Sequence, residues 1–224
     1  MTQSLPPTAI LFDLDGTLVD SLPDLLRATN ILLAGLDRRP ATADELRGWV
    51  GDGAAVLVAH AMAATGGPPE AAPALLLKTF LDIYEGGLAD LSKPYPGVEA
   101  TLQQLVARGH RLGVCTNKPT ALSVELLDAL GLSSLFAAIV GGDSVAAKKP
   151  DPGHIRATLE AMGATGQRAL MVGDSGNDVA AAKAAGIPVV AVSFGYSRVD
   201  PRGLGADVLI DDFAQLPVAA AAYL

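Results

Sequence analysis

The stretch ILFDLDGTLVDS, residues 10–21, places two carboxylates directly after a buried strand. Residues 9–12 are apolar and mostly branched or aromatic, which is typical of a strand inside a sheet. Asp13 and Asp15 follow at once, and Gly16 permits a tight bend after them. Residues two positions apart in an extended chain point to the same side, so we expect both carboxylates to face one site.

Further short apolar runs follow, and strand and helix patterns alternate from about residue 95 to the end. The helical patterns end at Gly109, Gly131 and Gly163, where left-handed C-caps are expected. This alternation predicts a doubly wound α/β fold, whose mainly parallel sheet carries helices on both faces. The predicted strands are AILF (9–12), RLGVCT (111–116), AAIVG (137–141), RALMVGD (168–174), PVVAVSFG (188–195) and ADVLI (206–210).

Residues 20–92 interrupt this alternation. They contain no convincing strand, but apolar residues recur with helical spacing at positions 22 to 33 and again at 77 to 84. We therefore predict that residues 1–19 and 93–224 form an α/β core and that residues 20–92 form a helical domain inserted after the first strand. The segment SKPYPG, residues 92–97, marks the return to the core, because its prolines disfavour helix.

The composition suits a soluble protein with a large core. Half of the 224 residues are hydrophobic, the formal net charge is −8 and the pI is near 4.7, so we expect no nucleic-acid partner held through its phosphates. No apolar stretch reaches the roughly 18 residues of a membrane span. Residues 1–8 lack the features of a secretion signal and predict a short disordered lead. With Cys115 as the single cysteine, we expect a cytoplasmic protein without disulfides, and the oligomeric state stays open.

The polar residues that close the predicted strands should converge, because ligands bind beyond the carboxyl ends of the strands in an open parallel sheet. Up to four carboxylates would then share one site, where like charges raise one another's pKa unless a cation compensates. An all-oxygen cluster of this kind suits Mg²⁺, so a divalent metal is implied. The converging residues are Asp13 and Asp15, then Thr116, Asn117 and Lys118, then Lys149, and finally Asp174 and Asp178.

The same strand ends carry groups that suit a phosphate. Lys149 adds a cation and Thr116 a hydroxyl donor, while backbone N–H groups in the turn around Gly16 can cradle an anion. A metal, a lysine and amide donors together predict a phosphoryl-transfer site rather than a hydride- or acyl-transfer site.

Four features resemble, in the same order, the four motifs of the haloacid dehalogenase superfamily: DLDGT at 13–17, Thr116, Lys149 before Pro150, and GDSGND at 173–178. The helical insertion resembles the C1-type cap of that superfamily. The resemblance implies that Asp13 is the nucleophile that forms an aspartyl-phosphate. It also implies that the neighbouring Asp15 acts as general acid and then as general base.

The resemblance implies roles for the remaining residues. Lys149 would neutralise charge between the nucleophile and the phosphoryl group, and Thr116 would donate a hydrogen bond to a phosphate oxygen. The residues implied at Mg²⁺ are Asp13, Asp174 and Asp178 through their side chains, Asp178 directly or through water, and Asp15 through its backbone carbonyl. The residues expected to contact substrate are Gly16, Gly51, Gly53, Thr116, Asn117 and Lys149.

The substrate is indicated by two further features. An acid at Asp15 implies an oxygen leaving group, since a halide leaves without a proton. The segment GWVGDGAAVLV, residues 48–58, resembles the cap segment of phosphoglycolate phosphatases, and Gly51 to Gly53 stand where β-phosphoglucomutases carry basic residues. We therefore expect hydrolysis of a small phosphorylated metabolite, first 2-phosphoglycolate. Pyrophosphate, a sugar phosphate and a nucleoside monophosphate are the alternatives.

Other interpretations compete with this one. A signalling receiver domain also uses aspartates, a threonine, a lysine and Mg²⁺, but it has no helical insertion, and its phosphorylated aspartate lies on the third strand. A catalytically inactive binding module would not need every motif residue. Outside the motifs we predict structural roles: Asp20 and Asp24 in the first turns of a helix, Asp151 as an N-cap, and Lys148 in solvent. The three histidines are predicted to lie on the surface or in satisfied structural positions.

Overall fold

The structure, a computed structural model, describes residues 8–67 and 71–223, so the predicted lead lies outside the described residues except for Thr8. Its centre is a six-stranded sheet with the order β5-β4-β1-β6-β7-β8, in which neighbouring strands are parallel. The strands are β1 (Ala9–Phe12), β2 (Val19–Asp20), β3 (Lys93–Pro94), β4 (Arg111–Thr116), β5 (Ala138–Gly141), β6 (Ala169–Gly173), β7 (Val189–Val192) and β8 (Val208–Ile210).

Helices cover both faces of this sheet. Along β1, Ile10 and Phe12 pack into one core cluster, and Ala9 and Leu11 pack into the other. This alternation is the two-residue period of a strand that is buried on both sides, and it confirms the predicted doubly wound fold. The helices are α1 (Leu22–Ala34), α2 (Ala43–Arg47), α3 (Ala54–Ala64), α4 (Pro73–Glu85), α5 (Val98–Ala107), α6 (Thr120–Ala129), α7 (Pro152–Ala161), α8 (Gly176–Ala185) and α9 (Leu216–Ala219).

The register of the three central strands brings their carboxyl ends level. Phe12 is paired with Val114 of β4 on one side and with Val172 of β6 on the other. The chain segments that follow these residues therefore leave the sheet side by side. This register places Asp13, Thr116 and Asp174 at one edge.

Three glycines end helices as predicted. Gly109, Gly131 and Gly163 have φ angles of 85°, 71° and 63°, in the left-handed region that glycine adopts without a steric penalty. Among residues 8–67 and 71–223, no helix combines the length and the apolarity needed to cross a bilayer.

Residues 20–92, which contain α1–α4, are what we call the helical insertion, and the chain enters and leaves it through a two-stranded ribbon. In this ribbon β2 pairs antiparallel with β3, with Val19 opposite Pro94 and Asp20 opposite Lys93. The sequence did not predict the ribbon, because two-residue strands show no periodicity. It also corrects the position of Asp20, which lies in β2 rather than in the first turn of α1.

Asp24 does lie in the first turn of α1, as predicted, but it is buried and not solvated. Its Oδ2 accepts hydrogen bonds from the backbone N–H groups of Leu91 and Ser92, at 3.0 and 2.8 Å, and from Ser92 Oγ at 2.7 Å. The carboxylate thus fastens the end of the helical insertion to its beginning.

Candidate active site

Three buried carboxylates meet at the edge of the sheet. Asp13 follows β1, Asp174 follows β6, and Asp178 lies in the first turn of α8. One oxygen atom from each residue lies within 4.8 Å of the other two. Asp13, Asp174 and Asp178 are only 7%, 3% and 1% exposed, so water does not screen their charges from one another.

Lys149 lies between two of these carboxylates. Its Nζ is 2.8 Å from Asp13 Oδ1 and 2.6 Å from Asp178 Oδ1. Burial works to lower the pKa of Lys149, but the two carboxylates outweigh burial and raise it, so the side chain is a permanent cation. With every group ionised, three negative charges then face one positive charge.

The excess negative charge appears in the pKa values of the carboxyl groups. Burial raises the pKa of Asp13 to about 6; Lys149 opposes this shift and Asp178 adds to it. The pKa of Asp174 is raised well above its ordinary value by burial and by the charges of Asp178 and Asp13. A buried all-oxygen donor set with too little positive charge fits a hard divalent cation such as Mg²⁺.

Close backbone packing fixes the position of Asp174. A Cβ atom at Gly16 or at Gly195 would collide with the Asp174 side chain, and Gly16 also has a φ of 87°. The backbone N–H of Tyr196 donates a hydrogen bond of 2.6 Å to Asp174 Oδ2. Gly16 therefore allows the turn after β1 to lie directly against this carboxylate.

Asp15 lies outside the group of three carboxylates that could hold a metal ion, although it lines one cavity together with Asp13. Its Oδ1 accepts a hydrogen bond of 2.6 Å from Ser21 Oγ, and Lys118 Nζ lies 3.3 Å from both of its oxygens. Strand β1 ends at Phe12 and the chain turns after it, with Val19 N donating to Leu14 O at 3.0 Å.

Thr116 ends β4, Asn117 follows it, and both are buried. The hydroxyl of Thr116 accepts a 3.3 Å hydrogen bond from Lys118 N, and Thr116 lines one cavity together with Asp13. The Asn117 Nδ2 donates 2.9 Å hydrogen bonds to the carbonyls of both Gly51 and Lys149. Asn117 therefore joins the helical insertion to the loop that carries Lys149.

A cavity of about 40 Å³ separates these residues from the helical insertion. Its floor on the sheet side is polar, whereas the insertion contributes mainly apolar side chains. The lining residues are Asp13, Asp15, Thr116, Asn117, Lys118, Pro119 and Leu122 on the sheet side, and Leu25, Val50, Gly51, Gly53, Ala54, Leu57, Phe80, Leu81 and Tyr84 from the insertion.

The glycine-rich turn before α3 lies close to the segment that follows β4. Gly51 and Gly53 have φ angles of 112° and 89°, and a Cβ atom at Gly53 would lie 3.1 Å from Asn117 O. Lys148, expected in solvent, instead donates a 2.5 Å hydrogen bond to the carbonyl of Asp52.

The side chain of Asp52 adds contacts that sequence reasoning missed. Its Oδ2 lies 2.6 Å from Arg198 Nη2, and its Oδ1 accepts a 2.7 Å hydrogen bond from Asn177 Nδ2. Both partners are more than 120 positions away in the chain, and although Asn177 lies in the GDSGND segment, the sequence does not reveal that either residue contacts Asp52.

Asp151 takes its predicted structural role, since its side chain accepts a hydrogen bond from Gly153 N and caps α7. The Asp143 side chain accepts a hydrogen bond from Thr120 N at the start of α6. His154 is buried between Val140 O and Lys149 N. Burial and the nearby Lys149 lower its pKa to about 4, so it stays neutral.

Comparison with known proteins gives consistent matches over nearly the whole chain. The family model described as haloacid dehalogenase-like hydrolase matches residues 10–192. The phosphoglycolate phosphatase of Caulobacter vibrioides is 48% identical over 212 residues, which cover 94% of this chain and 89% of that protein.

Two solved structures extend the likeness to the fold. A crystal structure of a predicted phosphoglycolate phosphatase from Haemophilus somnus superposes with a TM-score of 0.89 at 35% identity, covering 94% of this chain and 96% of that one. A mutant of CbbY from Rhodobacter sphaeroides, in complex with xylulose-(1,5)bisphosphate, has a TM-score of 0.80 at 29% identity, with the same coverage.

Proposed function

We propose that this chain, which belongs to the haloacid dehalogenase-like hydrolase family, is a phosphatase that hydrolyses 2-phosphoglycolate to glycolate and phosphate. The observation that carries the chemistry is the buried Asp13 carboxylate, which lies 2.8 Å from Lys149 Nζ and lines the cavity under the helical insertion. The phosphoglycolate phosphatase from C. vibrioides, 48% identical to this chain, supports the choice of substrate.

In the first step Asp13 attacks phosphorus. An Asp13 oxygen forms a bond to the phosphoryl group while the bond from phosphorus to the ester oxygen breaks, which leaves an aspartyl-phosphate and glycolate. Lys149 neutralises charge between the carboxylate and the phosphoryl group, and Thr116 donates a hydrogen bond to a phosphoryl oxygen. A bound Mg²⁺, held by Asp13, Asp174 and the Asp15 carbonyl with Asp178 in support, would supply further positive charge at these oxygens.

Asp15 handles the proton in both steps. In its protonated form it delivers the proton to the ester oxygen as that oxygen leaves. As a carboxylate it then takes a proton from the water that attacks phosphorus, which releases phosphate and restores Asp13. The hydrogen bond from Ser21 and the contact with Lys118 hold the Asp15 side chain in one orientation for these transfers.

The size of the cavity supports a small substrate. About 40 Å³ corresponds to a few water molecules, which leaves little space for a sugar ring beside a phosphoryl group. The turn at Gly51 to Gly53 closes this space, and it offers no cationic side chain for a second phosphate.

We further propose that residues 20–92 act as a cap that opens to admit substrate and closes to exclude water. The cavity lies between this segment and the sheet edge, so a movement of the segment would change access to it. The linkers at residues 17–21 and 91–96, which include the β2–β3 ribbon, are the places where the chain would bend.

The proposal is tested by phosphate release in the presence of Mg²⁺. We would compare kcat/KM for 2-phosphoglycolate, pyrophosphate, a sugar phosphate and a nucleoside monophosphate, with Asp13→Asn as the control for contaminating phosphatases. We expect a preference for 2-phosphoglycolate of about a hundredfold or more. A flat profile, or a better substrate among the others, would contradict the proposed substrate while leaving the phosphatase chemistry in place.

A further inference from the structure

We infer that Lys118 binds the carboxylate of the substrate and so selects phosphorylated carboxylic acids over other phosphate monoesters. This inference rests on the proposed function, because it concerns the part of the substrate that is not transferred. Neither the motif pattern nor the proposed chemistry assigns Lys118 a contact with substrate.

The position of Lys118 is unusual for a lysine. Its side chain is only 4% exposed, although lysine is almost never buried without a partner. It extends from the end of β4 into the cavity, where its Nζ lies 2.7 Å from the hydroxyl of Tyr84 and 4.3 Å from the centre of that ring. Tyr84 belongs to α4 of the helical insertion, so residues from both sides of the cavity fix the ammonium group.

The contact between Lys118 and Asp15 defines where this cation lies relative to the substrate. Asp15 has to reach the ester oxygen to protonate it. In 2-phosphoglycolate a single methylene group joins that oxygen to the carboxylate. A cation 3.3 Å from both Asp15 oxygens is therefore close to the place where the substrate carboxylate must lie.

The distribution of charged side chains around the cavity also indicates that Lys118 binds the substrate carboxylate. A phosphorylated carboxylic acid brings a negative charge at each end. Lys149 is held by Asp13 and Asp178 at the phosphoryl end. Among the described residues that line the cavity, Lys118 is the one cationic side chain, and the surface that faces it from the insertion is largely apolar. A carboxylate placed there without Lys118 would be buried and unpaired, which is strongly unfavourable.

The test compares two substrates that differ only in this charge. They are 2-phosphoglycolate and 2-phosphoglycolamide, in which a neutral amide of nearly the same size replaces the carboxylate. We would measure kcat and KM for both with the Mg²⁺-loaded wild type, Lys118→Met, Lys118→Arg and the control Lys183→Met, whose lysine is exposed on α8.

We expect the wild type to prefer the acid over the amide by about thirtyfold, the size of a charge-assisted hydrogen bond. Lys118→Met should bring the ratio close to one, mainly through a higher KM for the acid. Lys118→Arg should keep much of the preference, and Lys183→Met should keep all of it. If Lys118→Met lowers activity on acid and amide equally, Lys118 only orients Asp15 and the inference is overturned.

A second comparison covers the case in which Lys118→Met does not fold because Asp15 is left unpaired. The double variant Asp15→Asn, Lys118→Met removes both charges, and calorimetric Kd values for acid and amide are compared with those of Asp15→Asn alone. We expect Asp15→Asn to bind the acid more tightly than the amide. The double variant should bind the acid and the amide with equal affinity. A preference that persists in the double variant overturns the inference alone. A wild type that hydrolyses other phosphomonoesters but not 2-phosphoglycolate overturns the proposed substrate as well.

Discussion

Asp52 of the helical insertion forms an ion pair with Arg198, which lies in the loop after β7, with 2.6 Å between Oδ2 and Nη2. Both side chains are partly exposed, at 29% and 45%, so the pair by itself contributes about 1 kcal/mol or less. The same aspartate also accepts hydrogen bonds from Asn177 through its side chain and from Lys148 through its carbonyl. These contacts hold one turn of the insertion against the sheet edge.

The first prediction concerns this contact. Asp52→Ala removes the Arg198 and Asn177 interactions, so the insertion should spend less time closed, and kcat/KM should fall by about three- to tenfold. Hydrogen exchange of residues 48–58 should become faster. Arg202→Gln, which removes an exposed ion pair with Asp200 in the same region, is the matched control and should change neither quantity. Unchanged activity and exchange in Asp52→Ala would show that the ion pair does not hold the insertion closed.

The second prediction concerns the nucleophile. Asp13→Asn keeps the shape of the side chain but removes its nucleophilicity, so kcat should fall by more than about a thousandfold while the protein stays folded. Circular dichroism checks that the variant stays folded, and the rate of phosphate release measures the loss of activity. Asp82→Asn, on the surface of α4, should behave like the wild type. If Asp13→Asn retained more than a few per cent of the wild-type activity, Asp13 would be ruled out as the nucleophile.

The third prediction separates the role of Asp15 from that of Asp13. Asp15→Asn cannot deliver a proton to the leaving oxygen, so the loss in kcat should be greatest for alkyl phosphates. The loss in kcat should be about a hundredfold smaller for nitrophenyl phosphate, because its leaving group needs no proton. Rates for a series of leaving groups in wild type and variant provide the measurement. Equal losses along the series would argue against an acid role.

The fourth prediction follows from the raised pKa of Asp13. A carboxyl group whose pKa rises from 3.8 to about 6 on folding binds its proton more tightly in the native state. Its contribution to the free energy of unfolding therefore decreases as the pH rises from about 4 to about 6, and it stays low above that range. In EDTA, Asp13→Asn should be more stable than the wild type at pH 7, and the difference should shrink toward pH 4.

Adding Mg²⁺ should reverse this order, because a cation that binds the native cluster stabilises the wild type more than a variant with one carboxylate fewer. Urea unfolding at several pH values, with EDTA and then with Mg²⁺, measures both effects. The pH interpretation would be wrong if, in EDTA, the wild type were the more stable protein at pH 7.

Much of the fold was predictable because its signals are local. Apolar runs bounded by glycine mark the strands of the sheet, and a parallel sheet gathers the residues that follow them at one edge. For this reason Asp13, Lys149, Asp174 and Asp178 could be assigned to one place from sequence alone. Asp15 could also be assigned to the cavity, but its partners Ser21 and Lys118 could not be, because β1 ends at Phe12 and the chain turns there.

The parts that could not be predicted depend on pairs distant in sequence. Lys118 could be placed among the residues that converge at the strand ends, but only the fold shows that its ammonium group lies against Asp15 and Tyr84. Asp24 has the sequence signature of a helix first turn, yet its main partner is Ser92 at the other end of the insertion. A single sequence carries no periodicity from which such pairs could be inferred.

The ribbon of β2 and β3 has a consequence for how such proteins diversify. Val19 and Pro94 are direct partners, so the chain leaves the sheet and returns to it at neighbouring points. The whole segment between Val19 and Pro94 can therefore change in length and sequence without displacing a strand of the central sheet. An exchange of this segment between relatives would replace one side of the cavity and leave Lys118 and the carboxylates at the sheet edge in place.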